Sequence, residues 1–320
     1  MSPPTPGPLP VTVVGGYLGA GKTTLVNHLL RHADGRRLAV LVNDFGALPI
    51  DSDLIEGADG AVLAIAGGCV CCAYGSDLIA GLETMAARRP RPDHVVVETS
   101  GVALPDAVAQ SVQLLAAFRR DAIVVLADAE TVRRHAADRY MADTIARQLA
   151  ASDIVVVNKT DLVPPAVLAE TLDWAAAAAP HAAVLPALHG AVPVAAMLGP
   201  AATERLLLDR PAGHDRPAWR SVALPVGHRV DAARLAAALA APGLGLVRAK
   251  GIVPGRTGPE TIQVTGRRWT VAPAAALPDG AFPDGALPDG RGRLVAIAVG
   301  RPLAEDAVRT AVAAARLAEP

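Results

Sequence analysis

An excess of charge of either sign is missing from this chain. Its 30 Lys and Arg residues are matched by 31 Asp and Glu, for a formal net charge of -1, and the basic pairs Arg119 with Arg120, Arg133 with Arg134 and Arg267 with Arg268 are scattered along the sequence. A nucleic-acid footprint needs clustered positive charge, so no nucleic-acid partner is expected, and each pair reads as a solvated end of a helix or strand. Long apolar runs are missing as well. The most apolar stretch, residues 60–75, is broken by Gly67 and Gly68 and falls short of the roughly 20 apolar residues that a spanning helix needs. The opening MSPPTPGPLP lacks the basic region and apolar core of a secretory signal, so residues 1–10 are expected to be a loose tail and the protein to be cytoplasmic, with no membrane partner. Cysteine is the scarcest of these features: three occur, Cys69, Cys71 and Cys72, all within four positions. In a reducing compartment a lasting disulfide is not expected, and a bond between the neighbours Cys71 and Cys72 would strain the peptide that joins them. Metal ligation or thiol chemistry is left.

What is present is a chain that is 52% hydrophobic and 19% charged, long enough for two globular domains. Through the first half, short apolar runs rich in β-branched residues alternate with helical patterns: residues 11–15, 37–43, 61–66, 94–98, 122–128 and 153–158. Continuously apolar strands separated by helices predict an α/β fold with a mainly parallel sheet covered on both faces. Ligands in such sheets bind at the carboxyl ends of the strands.

The motifs fall at those ends. GYLGAGKT, from Gly16 to Thr23, follows the first strand and opens a helix, the context that a P-loop requires. Gly16, Gly19, Ala20 and Gly21 form the curled backbone whose N–H groups face phosphate oxygens, Lys22 holds the β- and γ-phosphates, Thr23 offers its hydroxyl to Mg²⁺, and Thr24 continues the helix start. NKTD, from Asn158 to Asp161, closes the strand at 153–158. The Asp161 carboxylate accepts from guanine N1–H and the 2-amino group, donors that adenine lacks. Asn158 fixes the loop and base, and the stem of Lys159 lies along the purine face. Together with the P-loop this favours GTP over ATP.

HVVVETSG ends a strand with Glu98 and then Gly101. The carboxylate can reach Mg²⁺ or its water shell, and the glycine N–H can approach the γ-phosphate; a strand-end charge is the plainer reading of Glu98. NDFGALPID, Asn43 to Asp51, has the two acids and the glycine of a switch loop, and either Asp44 or Asp51 could orient water or coordinate metal. Ordinary turn chemistry accounts for these acids equally well.

The cysteines follow an apolar strand and two glycines, at the same edge of the sheet. Two thiolates separated by one residue can converge on a metal, and a third adds a soft ligand suited to Zn²⁺ or another thiophilic ion. A second cysteine knuckle does not exist, so the shell is open and is completed by water, Asp44, a histidine or a partner. Small buried residues without a ligand role are the alternative.

GYLGAGKTT, NDFG with its following ID, GGCVCC with its following DL, ETSG and NKTDL, in this order over residues 11 to about 190, resemble the CobW-type metal-handling GTPases. That P-loop family includes cobalamin-biosynthesis CobW proteins, nitrile hydratase activators and zinc metallochaperones. The resemblance implies a low-turnover GTPase in which Mg²⁺-GTP assembles a Zn²⁺ or Co²⁺ site at Cys69, Cys71 and Cys72 and hydrolysis to GDP weakens it. It also implies a client, either a metalloprotein or a metal-dependent cofactor-biosynthesis enzyme, and leaves a homodimer open. Two departures stand out: Asp44 replaces a glutamate of many members, and isolated His181, His189 and His214 stand where many carry a histidine-rich stretch.

The expected domains are a P-loop GTPase domain over 11–205 and an α+β domain resembling the CobW C-terminal one over 217–320, where five strands and helical patterns at 231–241 and 303–317 predict a largely antiparallel sheet. RAKGIV, at 248–253, extends the resemblance there, with Lys250 expected as a strand-end charge facing solvent. His28, His32 and His94 have no ligand-like spacing. The Pro-Asp-Gly repeat at 277–290 reads as consecutive tight turns in an exposed loop. Two other functions stay in view: a signalling switch with a structural zinc, whose metal affinity would ignore nucleotide, and a small-molecule kinase, against which Asp161 argues.

Overall fold

The computed structural model describes residues 7–33, 35–43, 61–65, 76–199, 219–274, 292–299 and 303–318. They form two compact units, residues 8–198 and a second one from residue 199 onward.

In the first unit the elements run β1 Leu9–Gly16, α1 Lys22–Arg31, β2 Leu38–Asn43, β3 Ala61–Ile65, α2 Ser76–Ala87, β4 His94–Glu98, α3 Pro105–Gln113, β5 Phe118–Asp128, α4 Val132–Ala137, α5 Ala142–Ala151, β6 Ile154–Asn158, α6 Pro165–Ala178, β7 Ala183–Pro186 and α7 Val194–Leu198. The described strands make one sheet in the order β3-β2-β4-β1-β5-β6-β7, and every pairing is parallel. β1 therefore lies between β4 and β5, where chain order reverses, and the loop after it opens onto the crevice where such sheets bind ligands.

Burial explains why these segments become strands. Val11, Val13, Val95, Val97, Ile123, Val125, Val155 and Val157 form one core with Leu82 and Met85 of α2, Val112 of α3 and Leu149 of α5. The alternate residues Val96, Val124 and Val156 are buried as fully, and α1 and α7 also pack on the sheet. With both faces covered, the strands need no polar side.

Two strands run further than their apolar stretches predict. β1 takes in Leu9 and Pro10, which the sequence reading leaves in the tail, and β5 begins at Phe118 rather than residue 122. The polar start of β5 is accommodated by ion pairing: Arg119 meets Asp121 at 3.4 Å and Arg120 meets Asp153 at 3.1 Å, while Asp153 also accepts the Ile123 backbone N–H at 2.7 Å. These arginines are partners within the sheet, not solvated ends. β7 is a seventh strand that the sequence reading omits. His94 is packed, 3% exposed, with its ring Nε2 2.9 Å from the Thr12 hydroxyl.

The second unit comprises β8 Trp219–Val226, α8 Ala232–Leu239, β9 Leu246–Pro254, β10 Pro259–Thr265, β11 Arg268–Pro273, β12 Gly292–Val299 and α9 Glu305–Ala314. Its sheet, in the order β11-β10-β9-β12-β8, is antiparallel throughout. Alternate residues Val222, Leu224, Ile262, Val264, Leu294 and Ala296 pack on Leu235 and Leu239 of α8 and on Val308 and Val312 of α9, the two-layer solution for a one-sided apolar sheet. Lys250 is not at a strand end: it sits inside β9, opposite Gln263 on one side and Val295 on the other, and is half-buried. Among the described residues no helix is long and apolar enough to cross a membrane. The junction RPAGHDRP, His214 and the Pro-Asp-Gly repeat lie outside the described residues.

Candidate functional site

The loop after β1 is shaped by its glycines. Gly16, Gly19 and Gly21 have φ of 130°, 75° and 99°, in the left-handed region where a side chain is strained. At Gly16 the requirement is also steric, because an added Cβ would lie 2.4 Å from the Leu126 carbonyl oxygen of the neighbouring strand. The Ala20 N–H closes the turn on the Tyr17 carbonyl at 3.2 Å, and α1 begins directly after Gly21. No side chain caps that helix end, so its first N–H groups and the positive end of its dipole face the loop. Lys22, 8% exposed, curls back so that Nζ donates to the carbonyls of Gly16 at 3.1 Å and Tyr17 at 3.4 Å. Its ammonium thus lies at the loop itself.

Beside it, β4 delivers Glu98 next to Val14 of β1. The Thr23 hydroxyl donates to Glu98 Oε1 at 2.8 Å, and Glu98 is 2% exposed. A hydroxyl and a carboxylate held together at the foot of a phosphate-binding loop are an oxygen-donor set of the kind Mg²⁺ prefers, completed by phosphate and water. The next residues continue around the site. The Thr99 N–H is held by the Val14 carbonyl at 2.9 Å, while the buried Ser100 hydroxyl oxygen has no hydrogen-bond partner. Buried hydroxyls are normally satisfied, so this orphan fits a site whose remaining oxygens and donors arrive with a ligand. The residues present therefore fit Mg²⁺ and a polyphosphate.

The NKTD segment supports the other side. Asn158, 2% exposed, donates from Nδ2 to the Ala20 carbonyl at 3.0 Å and accepts the Gly190 N–H on Oδ1 at 2.9 Å. Its amide ties the P-loop to the loop after β7, the loop-fixing part of the role expected of it. Lys159 has φ of 62° and ion-pairs with Asp128 at 2.7 Å, which anchors its stem at the rim. Asp161 lies in a short 3-10 turn, Thr160–Leu162, and is exposed. Thr24 is exposed on α1 and Gly101 is buried near Leu18 of the P-loop.

Thus Gly16, Gly19, Ala20, Gly21, Lys22, Thr23, Glu98, Gly101 and Asn158 converge on one edge of the sheet, with Lys159 and Asp161 after β6. Asp44, Asp51, Cys69, Cys71 and Cys72 lie outside the described residues, among which no group of three or more His, Cys, Asp or Glu could hold a metal. The sequence reading missed Asp128 and the segment Ala187 to Gly190. Asp128 ends a recognised strand at the ligand edge and also accepts the Glu130 N–H at 2.9 Å, so its position was the available signal. Ala187 to Gly190 follows the unrecognised β7 and gave none.

Comparison with known proteins agrees with this geometry. Residues 10–186 match the family model described as the CobW/HypB/UreG nucleotide-binding domain, and residues 219–316 match that of the cobalamin synthesis protein CobW C-terminal domain. A zinc chaperone CobW from Pseudomonas aeruginosa is 35% identical over 240 residues, covering 65% of this chain and 64% of that relative. Another zinc chaperone CobW, from Sinorhizobium, is 31% identical over 245 residues, 65% of this chain and 68% of its own. A zinc-regulated GTPase metalloprotein activator 1 from Schizosaccharomyces pombe is 34% identical over 166 residues, 49% of this chain and 40% of that protein. The chain thus spans just under two thirds of the first relative and well under half of the third. A parallel-sheet P-loop unit with this motif order, followed by the matching antiparallel unit, leads to one assignment: the chain belongs to the CobW/HypB/UreG family of nucleotide-binding proteins and carries the CobW C-terminal domain.

Proposed function

We propose that the chain is a GTP-hydrolysing metallochaperone, which binds Zn²⁺ or Co²⁺ at Cys69, Cys71 and Cys72 and hands it to a client metalloprotein or metal-dependent cofactor-biosynthesis enzyme. What carries the nucleotide part is the 2.8 Å hydrogen bond between Thr23 and Glu98 at the foot of the P-loop. It holds a hydroxyl and a buried carboxylate where a polyphosphate-bound cation needs them. The metal part rests on the Cys-X-Cys-Cys pattern and on relatives that are named as zinc chaperones.

In this reading the loop N–H groups and the N-terminus of α1 bind the β-phosphate, and Lys22 leaves its two carbonyl partners to meet the β- and γ-phosphate oxygens. Asp161 accepts from guanine N1–H and the 2-amino group. Thr23 and Glu98 hold Mg²⁺, which when bound neutralises charge on the phosphates. Water attacks the γ-phosphorus: the new P–O bond forms as the bond to the β–γ bridging oxygen breaks, leaving GDP and phosphate. Lys22 and the N–H of Gly101 stabilise the charge that develops, and Asp44 or Asp51 orients the water. Loss of the γ-phosphate removes the partner of the Gly101 N–H, and hydrolysis to GDP weakens the metal site.

The direct test is nucleotide preference. The purified chain should hydrolyse GTP slowly and ATP at least about tenfold more slowly, and Asp161→Ala should weaken GTP and GDP binding by about tenfold or more without affecting ATP. Equal use of both nucleotides would contradict the assignment.

A further inference from the structure

Behind the P-loop, one of the three buried side chains of α5 is polar. Gln148 is 1% exposed and lies 45 and 47 positions from the groups it binds: its Nε2 donates to the Ala103 carbonyl at 2.8 Å and to the Gly101 carbonyl at 3.2 Å. Because both partners are acceptors, only the NH₂ side of the amide can face them. Gln148 therefore grips both ends of the turn Gly101–Ala103, directly after Glu98 and Ser100.

That turn is tightly seated. A Cβ on Gly101 would lie 2.7 Å from the Leu18 backbone nitrogen and 2.6 Å from its side chain, so the backbone of Gly101 touches the P-loop. A change in the pose of the turn would therefore change how Gly101 meets that loop. The same α5 leads into β6, whose last residue Asn158 holds Ala20 and Gly190. Two buried amides on one helix–strand unit thus fix three loops to a common frame. Asn158 holds the phosphate loop and the loop after β7, and Gln148 holds the turn after Glu98.

We infer that Gln148 is a positioning residue for γ-phosphate recognition: its forked donation sets the pose of the Gly101 turn, so that the Gly101 N–H meets GTP but is not needed for GDP. This rests on the GTPase reading above. Buried carbonyls left without donors are costly, and a turn that loses both would adopt other poses.

The test uses Gln148→Met, which keeps length and volume and removes both donors. GDP affinity should stay within about twofold of wild type, while preference for a non-hydrolysable GTP analogue over GDP, and kcat, should each fall about tenfold. Equal weakening of GDP and analogue would make Gln148 a packing residue and overturn the inference, as would unchanged kcat and preference. A wild-type chain that binds no GTP would overturn the GTPase reading and the inference with it. Should Gln148→Met not fold, Gln148→Glu gives a second readout. A carboxylate there cannot donate, whereas its protonated form regains one O–H donor. Its activity relative to wild type should therefore recover from about pH 8 to about pH 6, helped by burial that favours the neutral acid. A pH-independent ratio would overturn the positioning role.

Discussion

Asn158 shows how one side chain can matter to a ligand through the loops that it holds. Its amide bonds a carbonyl of the P-loop and an N–H of the loop after β7, which gives it an influence on nucleotide through the P-loop. Asn158→Asp turns the donor that faces Ala20 into an acceptor, and a buried carbonyl left so costs about 1–3 kcal/mol. Calorimetry should then record GDP and GTP weakened alike, by about tenfold or more; loss of GTP alone would contradict the account. Glu98 makes a different prediction. Glu98→Gln keeps the partner of Thr23 but removes the charge, so the Mg²⁺ concentration for half-maximal hydrolysis should rise at least about tenfold. Nucleotide binding measured without Mg²⁺ should persist, and an unchanged Mg²⁺ requirement would refute the cation role.

Among the elements, α8 offers the cleanest test in the second unit. Its N-cap Asp231 accepts the Arg234 backbone N–H at 3.0 Å and the Arg256 guanidinium at 2.8 Å. The Arg234 N–H first, then the Arg256 hydrogen bond and charge, hold its carboxyl below the ordinary 3.8. A depressed acid stabilises the fold above its unfolded value and loses that contribution as pH falls through the folded one. Asp231→Ala should therefore lower the melting temperature at neutral pH, with the difference shrinking only below about pH 3.8; a difference that persists in acid would contradict the cap. The elements also divide by how legible they were. β4 and β6 are short apolar runs, five of five residues buried, and periodicity finds them. The start of β5 is not, because the half-buried Arg119 and Arg120 and the buried Asp121 are held by ion pairs that only the fold creates. β7, four residues ending in Pro186, carries too little pattern. The site divides in the same way. Lys22, Thr23 and Glu98 sit in contiguous motifs, whereas Gln148 and Gly190 act through contacts 32 to 47 positions away that no local spacing encodes.

At the scale of the molecule, the proposal joins two ligands through one sheet edge. The strand β3 that precedes the cysteines is paired with β2, and β2 with β4, which carries Glu98. A metal that prefers the GTP state must strengthen GTP binding by the same factor. The most direct measurement is a competition titration of Zn²⁺ against a chelator for the apo, GDP and Mg²⁺-GTP-analogue states, run in parallel on the chain with both Cys71→Ala and Cys72→Ala. The account predicts that Zn²⁺ binds the GTP-analogue state at least about tenfold more tightly than the GDP state, and that the paired substitution removes this advantage. Equal affinity in all three states, or an advantage that survives loss of the cysteines, would contradict it.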